Sequence, residues 1–143
     1  MQKIIKYLLI IFISFNFKVL ANENFFQEAK TLFDKGKIEE SKFLFQRNIV
    51  FNPKDSKSYL YLAKIFENEE NEVEEEKNIN TTLLLDPENE EAMYMLIDIK
   101  LEKSDIKKVE ELREKFKIIC ISLCSKIDSI DERLSNIDIK NES

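Results

Sequence analysis

The chain has 143 residues, 22 basic and 28 acidic side chains, 43% hydrophobic content, one Gly, two Pro and no His. That length suits one domain, and that hydrophobic share supports a packed core rather than a disordered chain. Without His there is no Ser-His-Asp triad, Cys-His pair or imidazole metal site, and one Gly builds neither a phosphate cradle nor an all-β chain of tight turns.

The first residues read as an export signal. Met1–Lys6 carries Lys3 and Lys6 and no acid, Tyr7–Phe15 is an apolar run, and Val19-Leu20-Ala21 places small or β-branched residues before a cleavage point at Asn22. A retained membrane anchor is the rival reading. Against it, the uncharged stretch from Tyr7 to Phe17 falls well short of the about 20 residues that span a bilayer. Loss of residues 1–21 removes three Lys and no acid, so the remaining chain is more negative than the −6 of the whole. That charge argues against nucleic acid and anionic lipid surfaces as partners. The compartment expected is the bacterial periplasm, with no membrane contact once the signal is cleaved.

Asn52-Pro53 and Asp86-Pro87 lie 34 residues apart, each after an apolar stretch and before a polar, acid-containing start. Proline fits the first turn of a helix and disfavours helical geometry in its predecessor, so both sites are helix-to-helix corners. A 34-residue unit closed by Pro resembles the tetratricopeptide repeat. The resemblance covers about residues 22–118 and implies an all-α solenoid of three stacked antiparallel helix pairs. Phe25, Ala29 and Leu32, then Ile38, Ser41, Phe45 and Ile49, are the inward set of the first unit. The second has Tyr59, Leu62, Ala63 and Phe66, then Val73, Ile79 and Leu83. The third has Met93, Leu96 and Ile97, a cap at Ser104, then Ile106, Val109, Leu112 and Phe116. Gly36 falls at the turn inside the first unit, where a left-handed residue costs least. Asn71 with Glu74 is a capping-box-like start. Ser41 and Glu75 stand where the repeat prefers Ala, Glu70 where it prefers Gly, and Ile121 where a third closing Pro would be.

Leu123, Cys124, Ile127, Ile130, Leu134 and Ile137 recur at helical spacing, which predicts a closing helix over Ile118–Ile137 that covers the last apolar face. As domains this gives a signal at 1–21, helix pairs over 22–118, a capping helix over 119–137 and a flexible tail over 138–143. Cys120 and Cys124 either form a disulfide, which requires a helix break at Ile121-Ser122-Leu123, or stay as buried thiols. Two sulfurs among carboxylates make a poor zinc set, so no metal and no cofactor is expected. Glu67–Glu76 holds seven Glu. Without the Asp/Asn alternation and Gly of a calcium loop, it reads as solvated surface, with docking of a basic partner as the alternative. Asp128 and Asp131 fall on a polar helix face with no pocket, so acid–base chemistry is rejected.

What remains is the surface lined by the first helix of each unit. The positions that the resemblance assigns to it are Phe26, Lys30 and Phe33, then Leu60, Lys64 and Glu67, then Tyr94, Asp98 and Leu101. Apolar anchors with lysines suit an extended or helical peptide. The carboxylate-clamp subtype is not matched, since Phe26 stands where it has Lys, and Lys30 and Tyr61 where it has Asn. The function expected is a non-catalytic scaffold that binds a protein or peptide partner in the cell envelope. A membrane-anchored assembly factor for exported proteins and an accessory subunit of an envelope enzyme are the alternatives. Neither the partner nor the oligomeric state is readable.

Overall fold

Residues 25–141 are described by the computed structural model, and seven helices account for most of them. These are α1 (Phe25–Asp34), α2 (Ile38–Phe51), α3 (Ser56–Asn68), α4 (Glu72–Leu85), α5 (Glu90–Glu102), α6 (Ile106–Ile119) and α7 (Lys126–Asn141). Each packs against the next in chain order, and no strand occurs among the described residues. The expected export signal and the expected cleavage point before Asn22 lie outside them. No described helix is long and apolar enough to cross a membrane.

The turns inside the three pairs share one geometry. Gly36, Glu70 and Ser104, spaced by 34 residues, all have positive φ, at 74°, 55° and 54°. In the first, the N–H of Gly36 donates to Phe33 and that of Lys37 to Leu32, both at 2.9 Å. Glu70 to Glu67 (3.0 Å) and Asn71 to Phe66 (2.9 Å) repeat it, as do Ser104 to Leu101 (3.0 Å) and Asp105 to Lys100 (2.9 Å). This left-handed stop satisfies the last helix carbonyls. Glycine adopts it freely, whereas a side chain there costs about 1–2 kcal/mol. Glu70→Gly and Ser104→Gly should therefore each raise stability by about 0.5–1 kcal/mol, the rest being lost to a more flexible unfolded chain. Urea unfolding checks this; an unchanged midpoint in both variants would mean that the positive φ stores no strain. Ser104 is thus the turn residue and not the expected cap. The cap must follow the left-handed residue, and there the Asp105 carboxylate accepts from the Lys108 N–H at 3.2 Å.

At the proline corners, the Asn52 and Asp86 N–H groups close α2 and α4 on the carbonyls of Asn48 (2.7 Å) and Thr82 (2.8 Å). Asp55 accepts from Asn48 Nδ2 and Ser58 Oγ, both at 2.7 Å, which ties α2 to α3. Asn71 caps α4 as expected, accepting from the Glu74 N–H at 3.3 Å. The Glu74 carboxylate pairs with Lys77 at 2.9 Å.

The core forms two clusters, one centred on Phe45 and Ile65, the other on Ile79, Ile97, Val109, Phe116 and Ile130. Val73, expected inward, is 77% exposed. It sits in the first turn of α4, whose buried face is made by Glu75, Asn78, Ile79 and Thr82. Only one of those four is apolar, so hydrophobic spacing misplaces that helix by a fraction of a turn.

The segment expected as one closing helix is two pieces. α6 ends at Ile119, a loop follows, and α7 starts at Lys126 and runs past Ile137 to Asn141, into the expected tail. A Cys120–Cys124 disulfide closes the loop, with the Cα atoms 5.2 Å apart. Glu90 holds the same loop from the start of α5. Its carboxylate accepts from the N–H groups of Ile121 (2.7 Å), Ser122 (3.0 Å) and Leu123 (3.1 Å) and from the Ser122 hydroxyl. The Ser122 hydroxyl bond, then the backbone donors, bring the Glu90 carboxyl down to about 2.

Candidate binding groove

The first helices of the pairs share one face. A cavity of about 400 Å³ is lined by Phe33 of α1, Lys64 and Glu67 of α3, Tyr94 and Asp98 of α5, Leu123 of the disulfide loop and Lys126 at the start of α7. The structure thus brings together five of the residues expected there. The other four are placed elsewhere. Phe26 is half-buried in an aromatic cluster, 5.8 Å from the Phe45 ring and 5.7 Å from Tyr61. Lys30 pairs with Asp34 at 2.7 Å along its own helix. Leu60 and Leu101 are 7% and 4% exposed and so belong to the core. An aliphatic side chain at a seam between neighbouring helices is covered by the next helix. Leu60 shares its cluster with Ala92 and Met93 of α5, and Leu101 shares its cluster with Leu134 and Ile137 of α7.

The lysines do not stand alone. Lys64 bridges to Glu91 at 2.7 Å and lies 4.8 Å from the Tyr61 ring centroid. Lys126 lies 5.3 Å from that of Tyr94, within cation–π range. Leu123, Lys126 and Arg133 are the residues that sequence reasoning missed, because the closing segment was read as a cover for the last apolar face. The count that placed a corner at Ile121 was the available signal: after a corner, the next helix takes the place of another first helix. Arg133 of α7 accordingly pairs with Asp98 of α5, and Arg113 of α6 holds Asp131 at 2.6 Å.

Beside the groove, and sharing Glu67 and Asp98 with it, lies a second cavity of about 430 Å³. Its wall carries Glu67, Glu70, Glu72, Glu75, Asp98 and Glu102, with Arg133 at one side. Burial, then repulsion from Glu67 and the neighbouring carboxylates, pushes the Glu75 carboxyl up to about 7. Burial and Asp98 raise that of Glu67 as well.

No family profile matches the sequence, and no curated protein matches it significantly. Solved structures do. The type III secretion translocator chaperone SycD of Yersinia enterocolitica is 16% identical, with a TM-score of 0.70 over 85% of this chain and 86% of that one. The fold is that of a tetratricopeptide-repeat domain. The TPR2B domain of yeast Sti1, in its complex with pHsp70, gives a TM-score of 0.69 at 17% identity, covering 80% of this chain and 95% of that one. The second such domain of human RPAP3, in complex with the HSP70 peptide SGPTIEEVD, gives 0.63 at 17% identity over 80% and 92%. The helix pairs, the turns at Gly36, Glu70 and Ser104 and the proline corners are this fold's repeating parts.

Proposed function

We propose that this chain is a non-catalytic adaptor that holds a short segment of another protein in the groove between α1, α3, α5 and α7, in the bacterial envelope after export. The observation that carries it is the groove itself: apolar Phe33, Tyr94 and Leu123 between charged Lys64, Glu67 and Lys126, on a fold whose solved relatives hold peptides. Apolar anchors with a polar rim are what peptide recognition uses. The disulfide supports an oxidising compartment, in keeping with the signal read at residues 1–21. A photo-crosslinking residue placed at Tyr94 in cells should join one partner through one short contiguous segment, mapped by mass spectrometry. The same residue at Val73 or Leu84, 77% and 80% exposed on the second helix α4, should not. Crosslinking from Val73 or Leu84 but not from Tyr94 would move the binding face to the other side of the stack.

A further inference from the structure

The acidic cavity is the part of the site that peptide holding alone leaves unexplained. Of its six carboxylates, Glu72 is neutralised by Lys103 and Asp98 by Arg133. Those of Glu67, Glu70, Glu75 and Glu102 form no ion pair among the described residues. A run of charge is ordinarily solvated surface that needs no partner. Glu75 is different. It stands 34 residues after Ser41 and 34 before Val109, both fully buried, and is itself only 8% exposed. Ser41 fits that interior place by donating its hydroxyl to the Ile38 carbonyl at 2.8 Å, and Val109 by being apolar. The Glu75 carboxylate does neither: no described side chain donates to it, and it opens onto the cavity. A carboxylate at this interior place is costly to ionise, and without a partner Glu75 avoids the cost by holding its proton to about pH 7, so a cation entering the cavity from outside is what would let it carry its charge.

We infer that this cavity is a subsite for the side chain of a Lys or Arg in the segment that the groove holds. The inference rests on the proposed groove and adds its chemical preference. Glu67 and Asp98 line both cavities, so one segment can seat an apolar residue by Tyr94 and send a neighbouring basic side chain between Glu67 and Glu75. Arg133 already shows the match from within the chain, its guanidinium meeting Asp98 at the cavity wall. A long organic cation with several donors can reach carboxylates set apart on α3, α4 and α5. A metal ion would need them converged, and among the described residues no group of three or more ligating side chains is placed to hold one.

The test is peptide-library selection on the full chain, followed by anisotropy titration of synthetic peptides against the wild type, Glu75→Gln and Tyr94→Ala. The selected peptides should carry Lys or Arg at a fixed distance from an apolar residue, and the acidic control SGPTIEEVD should not bind. Replacing the basic residue by norleucine should weaken binding about tenfold, Glu75→Gln should do the same, and the two together should cost little more than either. Apolar peptides with no basic position, bound equally by Glu75→Gln and lost in Tyr94→Ala, would overturn the subsite and leave the groove standing. Peptides indifferent to Tyr94→Ala would overturn the groove and the subsite with it.

Discussion

Phe45→Ala should destabilise the chain by about 3–5 kcal/mol, the range for removing a fully buried aromatic ring. Phe45 is 0% exposed. Its ring stacks on Tyr61 with centroids 5.0 Å apart, and Tyr61 meets Phe26 and Phe33 edge-on at 5.7 Å and 5.2 Å. One deletion therefore opens a void and unseats three neighbours. Against a total stability of about 5–15 kcal/mol, such a loss should lower the melting temperature by roughly 10–25 °C. Phe43→Ala is the control: Phe43 is 60% exposed on the same helix, and its loss should change stability by no more than about 0.5 kcal/mol. Equal melting points for the two variants would mean that the cluster does not hold α1 and α2 against α3. The effect reaches the groove as well, because the ring that Tyr61 steadies, Phe33, forms its α1 wall.

The architecture was legible because the two prolines and the single Gly mark geometry rather than taste. Pro53 and Pro87 can start helices but not continue them, and Gly36 supplies a positive φ at no steric cost. Glu70 and Ser104 adopt the same φ without being Gly, so tertiary packing overrides local preference at both turns. The rotation of α4 was not legible, because its inward face is Glu75, Asn78, Ile79 and Thr82 and hydrophobic spacing sees one residue of four. Glu75 did register as a departure from the repeat, but the sequence cannot show whether a buried carboxylate finds a cation. That depends on where Lys100 and Lys103 point, and the structure shows Lys100 pairing with Glu76 and Lys103 with Glu72 and Glu76. The groove was half legible for a related reason. Helical spacing assigns a residue to a face, but whether that face stays open is decided by the next helix, which covers Leu60 and Leu101 and leaves Tyr94 accessible.

Glu75→Gln should make the protein more stable at about pH 8 and leave it nearly unchanged at about pH 5, a pattern that fixes the sign of the buried charge. The folded carboxyl titrates at about 7, above its ordinary 4.5. Between those values the native state holds a proton that the unfolded chain has released, so stability declines as pH rises through that window and levels off above it. The wild type should lose about 1–2 kcal/mol across it, a figure already reduced for water in the open cavity. Glu67, also raised by burial and by Asp98, adds a smaller decline of the same sign, so the variant should keep part of the slope. Other carboxyls act in the opposite sense at the acid end. Glu90 and Glu111, both held at about 2, stabilise the fold above their ordinary 4.5, and that contribution is lost as pH falls toward 2. The two trends place the stability maximum near pH 5. Urea unfolding of both proteins at the two pH values reads the difference; a slope unchanged in Glu75→Gln would assign it to Glu67 and leave Glu75 ionised throughout. A more stable variant that has also lost its preference for basic peptides would show that the repeat keeps a destabilising residue in its core for the partner it binds.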